Sequence, residues 1–176
     1  GKEKIKRLDP ENVGLHTIPV TPIPYGSAKE IMVLMKGKPV PNGWQGGLPF
    51  TYRLEGGSEL QVRVKVDQKR EYVRANNVVG TLRGSENPDE WVILGCHFDA
   101  WSFGSTDPNS GTSMLLSLSE TLGQLAKEGK SPKRSILIAH WDAEEHGVIG
   151  STEWVEHYRE ELQAKTVAYI NLDAAV

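Results

Sequence analysis

Side chains that bind divalent metals fall at recurring places in this sequence. The run EWVILGCH ends in His97, ILIAHWDAEE ends in Glu144 and Glu145, and VAYINLD ends in Asp173. Each closes a short apolar run of the kind that forms a buried strand. Asp107 adds a carboxylate in the turn-rich loop SFGSTDPNSG. In open α/β sheets the loops at the carboxyl edge converge and ligands collect there, so a common edge would gather these residues into one site. His, Asp and Glu without a thiolate suit zinc or a similar divalent ion. Carboxylates sharing a site repel unless cations lie between them, and more acids than one ion needs suggest two ions. In such a pair, ~3.5–4 Å apart, a bridging carboxylate and water hold both metals and hydroxide becomes available near neutral pH. Of two adjacent acids, one can coordinate while the other takes the water's proton and passes it to a leaving amine. Singly, each residue has an ordinary structural explanation, as a strand-end His, a solvated Glu pair or an Asp capping a turn. Their joint occurrence at successive strand ends is what points to chemistry.

The elements that must position them can be read from periodicity. NNVVGTLRG and EWVILGCH read as strands joined by the turn-rich SENPDE. SGTSMLLSLSETLGQLAKEG carries apolar residues at Met114, Leu115, Leu118, Leu122 and Leu125 and stops at Gly129, which predicts a helix with one buried face. RSILIAHW is an apolar strand, STEWVEHYREELQ a second helix and KTVAYINLDAAV a third buried strand. This alternation predicts an α/β sheet with helices on its faces and its three core strands parallel. The first 70 residues differ. Pro19, Pro22 and Pro24 exclude regular helix there, Ser27 is placed to cap a short helix with Ile31, Leu34 and Met35 on one face and Gly37 as its stop, and Leu60, Val62, Val64 and Val66 alternate as in a half-buried strand. We expect a small β-rich module there, with a boundary near Arg70.

Composition narrows the function classes. The 176 residues are 38% hydrophobic and 24% charged, with a formal net charge of -3. No long basic run tracks a phosphate backbone, so nucleic acid is not an expected partner. No stretch approaches the roughly 18 apolar residues that span a bilayer. The single Cys96 excludes an internal disulfide framework and reads as a small buried residue at a strand end.

The segments GCHFDAWSFGSTDPNSG, HWDAEEHGVIGSTEW and AYINLD resemble the metal-binding core of the co-catalytic zinc aminopeptidase and glutamate carboxypeptidase family, especially its glutamate carboxypeptidase II and transferrin receptor branch. NVVGTLRG is similar to the same branch, and PVTPIPY resembles the end of its protease-associated domain. The resemblance implies a phosphorylase/hydrolase-like zinc-peptidase sheet, mixed, with parallel core strands and helices on both faces. Residues 1–70 would be the end of the β-rich protease-associated domain and 71–176 the front part of the peptidase domain. It further implies two zinc ions, with His97 and Asp173 on one, Glu145 on the other and Asp107 bridging. Glu144 matches the general base and Asp99 the acid that orients the His ligand. Glu153 and Glu156 match two ligands of a structural calcium, and the Asp107–Pro108 bond is expected to be cis.

The activity implied is that of an exopeptidase acting on a peptide or small acyl-amino-acid, by a full-length homodimer that is exported. Phe98 replaces an expected Arg, and Ala174 and Ala175 replace hydroxyl residues, which alters the substrate side. The family's last zinc ligand, a downstream His, is expected beyond Val176, so these 176 residues alone are expected to be inactive. The alternative is a non-catalytic binding and dimerisation scaffold like the transferrin receptors. The retained acids weigh against it.

Overall fold

The β-branched and apolar runs build the sheet. A computed structural model describes residues 9, 12–14, 16–69 and 71–175, which divide into two compact units between Glu71 and Tyr72.

The second unit holds four strands, β1 (Val78–Leu82), β2 (Asn87–His97), β3 (Arg134–Trp141) and β4 (Thr166–Asn171), in the order β1-β3-β2-β4. β2 runs parallel to both β3 and β4, pairing His97 with Trp141 and Gly95 with Asn171. β1 runs antiparallel to β3, with Val78 opposite His140. The expected mixed sheet with parallel core strands is therefore what forms, and β2, β3 and β4 all finish at one edge. Ile93 to His97 are buried in succession, as befits a central strand covered on both faces.

Consecutive residues of β2 face opposite ways, and each face carries a core. Leu94, Cys96 and Ile138 pack with Leu115 of α1 (Asn109–Lys127). Ile93, Leu137, Ala139 and Trp141 pack with Trp154 of α2 (Ile149–His157) and Leu162 of α3 (Arg159–Lys165). Burying one Leu of this kind contributes about 1.5–3 kcal/mol. Among the described residues no helix is long and apolar enough to cross a membrane.

Several expectations need correction. NPDE belongs to β2 rather than to a turn. The single helix expected over STEWVEHYREELQ is broken at Tyr158, which leaves helical geometry at φ −102°, ψ 21°. Trp154 and Leu162, on either side of the break, pack against the same core. Met114 is 47% exposed, because the buried stripe of α1 runs through Leu115, Leu118 and Leu122. β4 is not buried: Val167, Tyr169 and Ile170 are about half exposed, since β4 pairs only with β2 among the described residues.

The first unit holds one short helix, Tyr25–Met32. It starts after Pro24, whose carbonyl accepts from Ala28 N–H at 3.0 Å, so Ser27 lies inside the helix and does not cap it. Its last helical residue is Met32, well short of Gly37. Pairing here is limited, among the described residues, to an isolated bridge between Pro39 and Arg53. The β-rich expectation therefore fails. Val62, Val64 and Val66 alternate as a strand would, yet they stay exposed and unpaired in regular structure, because alternation makes a strand only where a partner edge and an apolar face receive it.

Candidate metal centre

The shared strand edge brings His97, Asp107, Glu144, Glu145 and Asp173 together. His97, the last residue of β2, is 3% exposed. Its Nδ1 lies 2.8 Å from the Asp99 main-chain carbonyl. A carbonyl only accepts, so Nδ1 carries the proton and the neutral ring turns the lone pair of Nε2 outward. That atom is 2.8 Å from Asp107 Oδ1, 2.9 Å from Asp173 Oδ1 and 3.9 Å from Glu144 Oε2.

Three lone-pair-bearing atoms thus converge with no donor between them, and either a second proton on His97 or a cation must satisfy them. The proton affinity of His97 reflects this. Burial disfavours its charge, but Asp107, the Asp99 carbonyl and the charges of Asp173 and Glu144 outweigh burial and raise its pKa above the ordinary 6.5. The donor set fits a divalent ion, and zinc takes imidazole and carboxylate together. His97, Asp107 and Asp173 form one group of potential metal donors, and His97, Glu144 and Glu145 form a second. Glu145 joins His97 and Glu144 there, and does not share a group with Asp107.

Local backbone fixes each donor. The Asp107–Pro108 peptide is cis, with Pro108 fully buried, and α1 begins at the next residue. Thr112 in the first turn of α1 donates to the His97 carbonyl at 2.6 Å. Gly111 meets the backbone carbonyls of Leu172 and Asp173 where any Cβ would collide. Ser110 Oγ accepts from Ala175 N–H at 2.9 Å, tying the segment after β4 to the start of α1.

The Glu144–Glu145 loop is held by Asp99, whose carboxylate accepts the N–H groups of Glu144 at 2.9 Å and Glu145 at 3.1 Å. Those bonds outweigh burial and lower the Asp99 pKa. Asp99 was expected to orient His97 through its carboxylate. The carbonyl does so instead, since the nearer carboxylate oxygen is 3.5 Å from Nδ1 and is engaged by the loop. Burial, together with the charges of Asp173, Glu145 and Asp99, raises the Glu144 pKa against the opposing pull of His97, as suits a proton acceptor that later donates.

A cavity of about 660 Å³ opens beside His97, Glu144 and Asp173, with Trp141, Trp154 and Tyr169 among its apolar walls. Glu153 and Glu156 are exposed on α2 and join no group of three metal-type donors among the described residues. Cys96 is buried, and burial raises its thiol pKa, consistent with a packing role. Gly111, Gly150, Thr112 and Asn77 shape the centre without having been singled out in the sequence. Their only signal there is a small or polar residue beside each motif.

The model of peptidase family M28 matches residues 77–176. The chain is 43% identical over 180 residues to the aminopeptidase NAALADL1 of Rattus norvegicus, covering 97% of this chain and 24% of that protein. It is likewise 43% identical over 166 residues to a glutamate carboxypeptidase 2 homolog of Caenorhabditis elegans, covering 90% of this chain and 21% of that protein. The structure of BSAP, a zinc aminopeptidase from Bacillus subtilis, aligns with a TM-score of 0.48 at 29% identity, covering 56% of this chain and 24% of that one. The chain therefore spans about a quarter of the length of the curated relatives it matches. With its metal-type residues on one sheet edge and the family's model spanning that entire region, the chain belongs to peptidase family M28.

Proposed function

We propose that these residues are the front part of a zinc-dependent exopeptidase, with residues 71–176 supplying most of a two-zinc centre and residues 1–70 ending a preceding domain. The observation that carries the reading is the buried His97, whose free Nε2 faces the carboxylates of Asp107 and Asp173 with Glu144 close behind. His97, Asp107 and Asp173 would hold one ion, Glu145 would hold the other, and Asp107 would lie between them. Bound there, zinc supplies Lewis acidity to the scissile carbonyl and makes a water acidic enough to attack.

The protein's own residues do the rest. Glu144, with its proton affinity raised, accepts the proton of the attacking water and returns it to the leaving amine. Asp99 fixes the backbone of both glutamates, so the base and its neighbouring ligand keep their spacing. The cavity beside Glu144, with its largely apolar walls, offers room for a substrate side chain. Substrates would be peptides or small acyl-amino-acids cut at one terminus. The names of the relatives include both an aminopeptidase and a carboxypeptidase, and both ends stay within the proposal. Retention of every one of these acids favours an enzyme over a scaffold. Calcium at Glu153 and Glu156 would need donors beyond those described.

The test is zinc content by mass spectrometry after zinc dialysis, for this chain and the full-length protein, with Asp107→Ala as control. Two ions in the full-length protein, lost in the variant, and chelator-sensitive release of a terminal residue support the reading. The 176-residue chain should be inactive alone. Absence of bound zinc from both forms overturns the proposal.

A further inference from the structure

The loop from Asp142 to Val148, which carries Glu144 and Glu145, is strained. Ala143 has φ 54° and Val148 φ 57°, both left-handed, alongside Gly147 at φ 111°. For a β-branched Val this conformation is a genuine outlier. Residues held this way persist only where the surroundings over-determine them. Asp99 restrains the loop from the metal side, through the N–H groups of Glu144 and Glu145.

A second restraint comes from the opposite side. β1 runs antiparallel to β3, so the residues just before β1 lie beside those just after β3. Asn77 sits there, half-buried. Its Oδ1 accepts from Asp142 N–H at 3.0 Å, and its Nδ2 donates to the Gly150 carbonyl at 2.7 Å. One amide thus spans both ends of the loop. The Asp142 carboxylate accepts the N–H groups of Asn76 and Ala143, each at 2.8 Å. Gly150 N–H donates to the Asp142 carbonyl at 3.0 Å and closes the ring. Gly150 is required, because an added Cβ would collide with the Asp142 carbonyl and with Asn77 Oδ1.

We infer that Asn77 is a positioning residue for the Glu144–Glu145 pair, pinning the two ends of their strained loop so that both carboxylates face His97. The inference rests on the two-zinc reading above. It assigns the front strand β1 a part in the chemistry, because β1 delivers the amide that sets the loop. The Asn side chain is specific to the task, since one donor and one acceptor must be presented at once to a carbonyl and an N–H.

The experiment compares full-length wild type with Asn77→Ala and with Ser135→Ala. Ser135 is the matched control. It also makes two side-chain hydrogen bonds, to Gly84 N–H and the Pro88 carbonyl, but at the far end of β3. Zinc titration calorimetry reads each ion's affinity, and amide hydrogen exchange on the metal-free proteins reads the protection of the Glu144 and Glu145 N–H groups.

Expected in Asn77→Ala are one ion bound as in wild type, the other weakened about 10–100-fold, and faster exchange at both glutamates. Ser135→Ala, with a comparable loss of stability, should keep both affinities and the protection. Wild-type affinities and wild-type protection in Asn77→Ala overturn the positioning role. Equal loosening in Ser135→Ala also overturns it, because the effect would then follow stability alone. Fewer than two ions in wild type overturn the two-zinc reading instead, and the exchange data still decide whether Asn77 holds the loop.

Discussion

Alanine at Gly111 and alanine at Gly123 should move stability in opposite directions although both lie in α1. A helical glycine costs about 0.5–1 kcal/mol relative to alanine, so each substitution begins with that gain. At Gly123 an added Cβ meets nothing within 4 Å, and the gain should survive. At Gly111 the Cβ would overlap the Leu172 carbonyl oxygen and come within 2.6 Å of the Asp173 carbonyl oxygen, where ordinary contact begins near 3.4 Å. Both neighbours are backbone and cannot swing aside. Overpacking of this kind costs about 1–3 kcal/mol, and direct overlap with a backbone oxygen puts Gly111 toward the upper end, for a net loss of roughly 2 kcal/mol after the propensity gain. Relief requires the Leu172–Asp173 backbone to retreat, and Asp173 Oδ1 sits 2.9 Å from His97 Nε2. Metal sites hold ligand distances to about ±0.2 Å, so zinc affinity should also fall, by about tenfold or more. Urea denaturation gives the midpoints and zinc titration the affinities. Equal midpoints for the two variants, or unchanged zinc binding in Gly111→Ala, would refute the account of this contact.

Two further outcomes follow from the core and from pH. Leu115→Ala should cost about 2–5 kcal/mol because Leu115 is 0% exposed, whereas Met114→Ala, at a site 47% exposed, should change the urea midpoint little. Similar losses at the two sites would contradict the assigned face. His140 has its pKa lowered by burial from the ordinary 6.5. Below that value the unfolded chain binds a proton that the folded chain resists, so stability falls as pH drops from about 6.5 and is fully present above it. His140→Leu should flatten that part of the profile, and parallel profiles for variant and wild type would count against it.

The parallel core and its metal edge were legible because both leave periodic traces. EWVILGCH, RSILIAHW and VAYINLD are apolar, β-branched runs that read as strands, although only the first two are buried, and each hands a ligand-type residue to the next loop. What stayed hidden depends on partners that lie far away in sequence. Leu60 to Val66 carries an alternation as regular as any in the chain, yet no edge receives it. The break at Tyr158 has no Gly or Pro to announce it. The expected link from the Asp99 carboxylate to His97 gave way because two N–H groups of a distant loop compete for the same oxygens. Nothing in the run NNVVGTLRG singles out Asn77, and only the antiparallel pairing of β1 with β3 puts it behind the glutamates.

Sequence separation across the metal edge also sets a timetable for its assembly. His97 and Asp173 are 76 residues apart. At about 5–20 residues per second of synthesis, roughly 4–15 s pass between the emergence of the imidazole and that of its farther carboxylate. During that interval β2 and α1 are already available to pack through Leu94, Cys96 and Leu115, while Glu144, Glu145 and Asp173 are still to come. Long-range parallel pairing is intrinsically slow, and β4 is the last of these strands to be synthesised. A nascent chain therefore lacks part of the candidate ligand set until Asp173 has emerged, so a metal held by the whole set would be captured late.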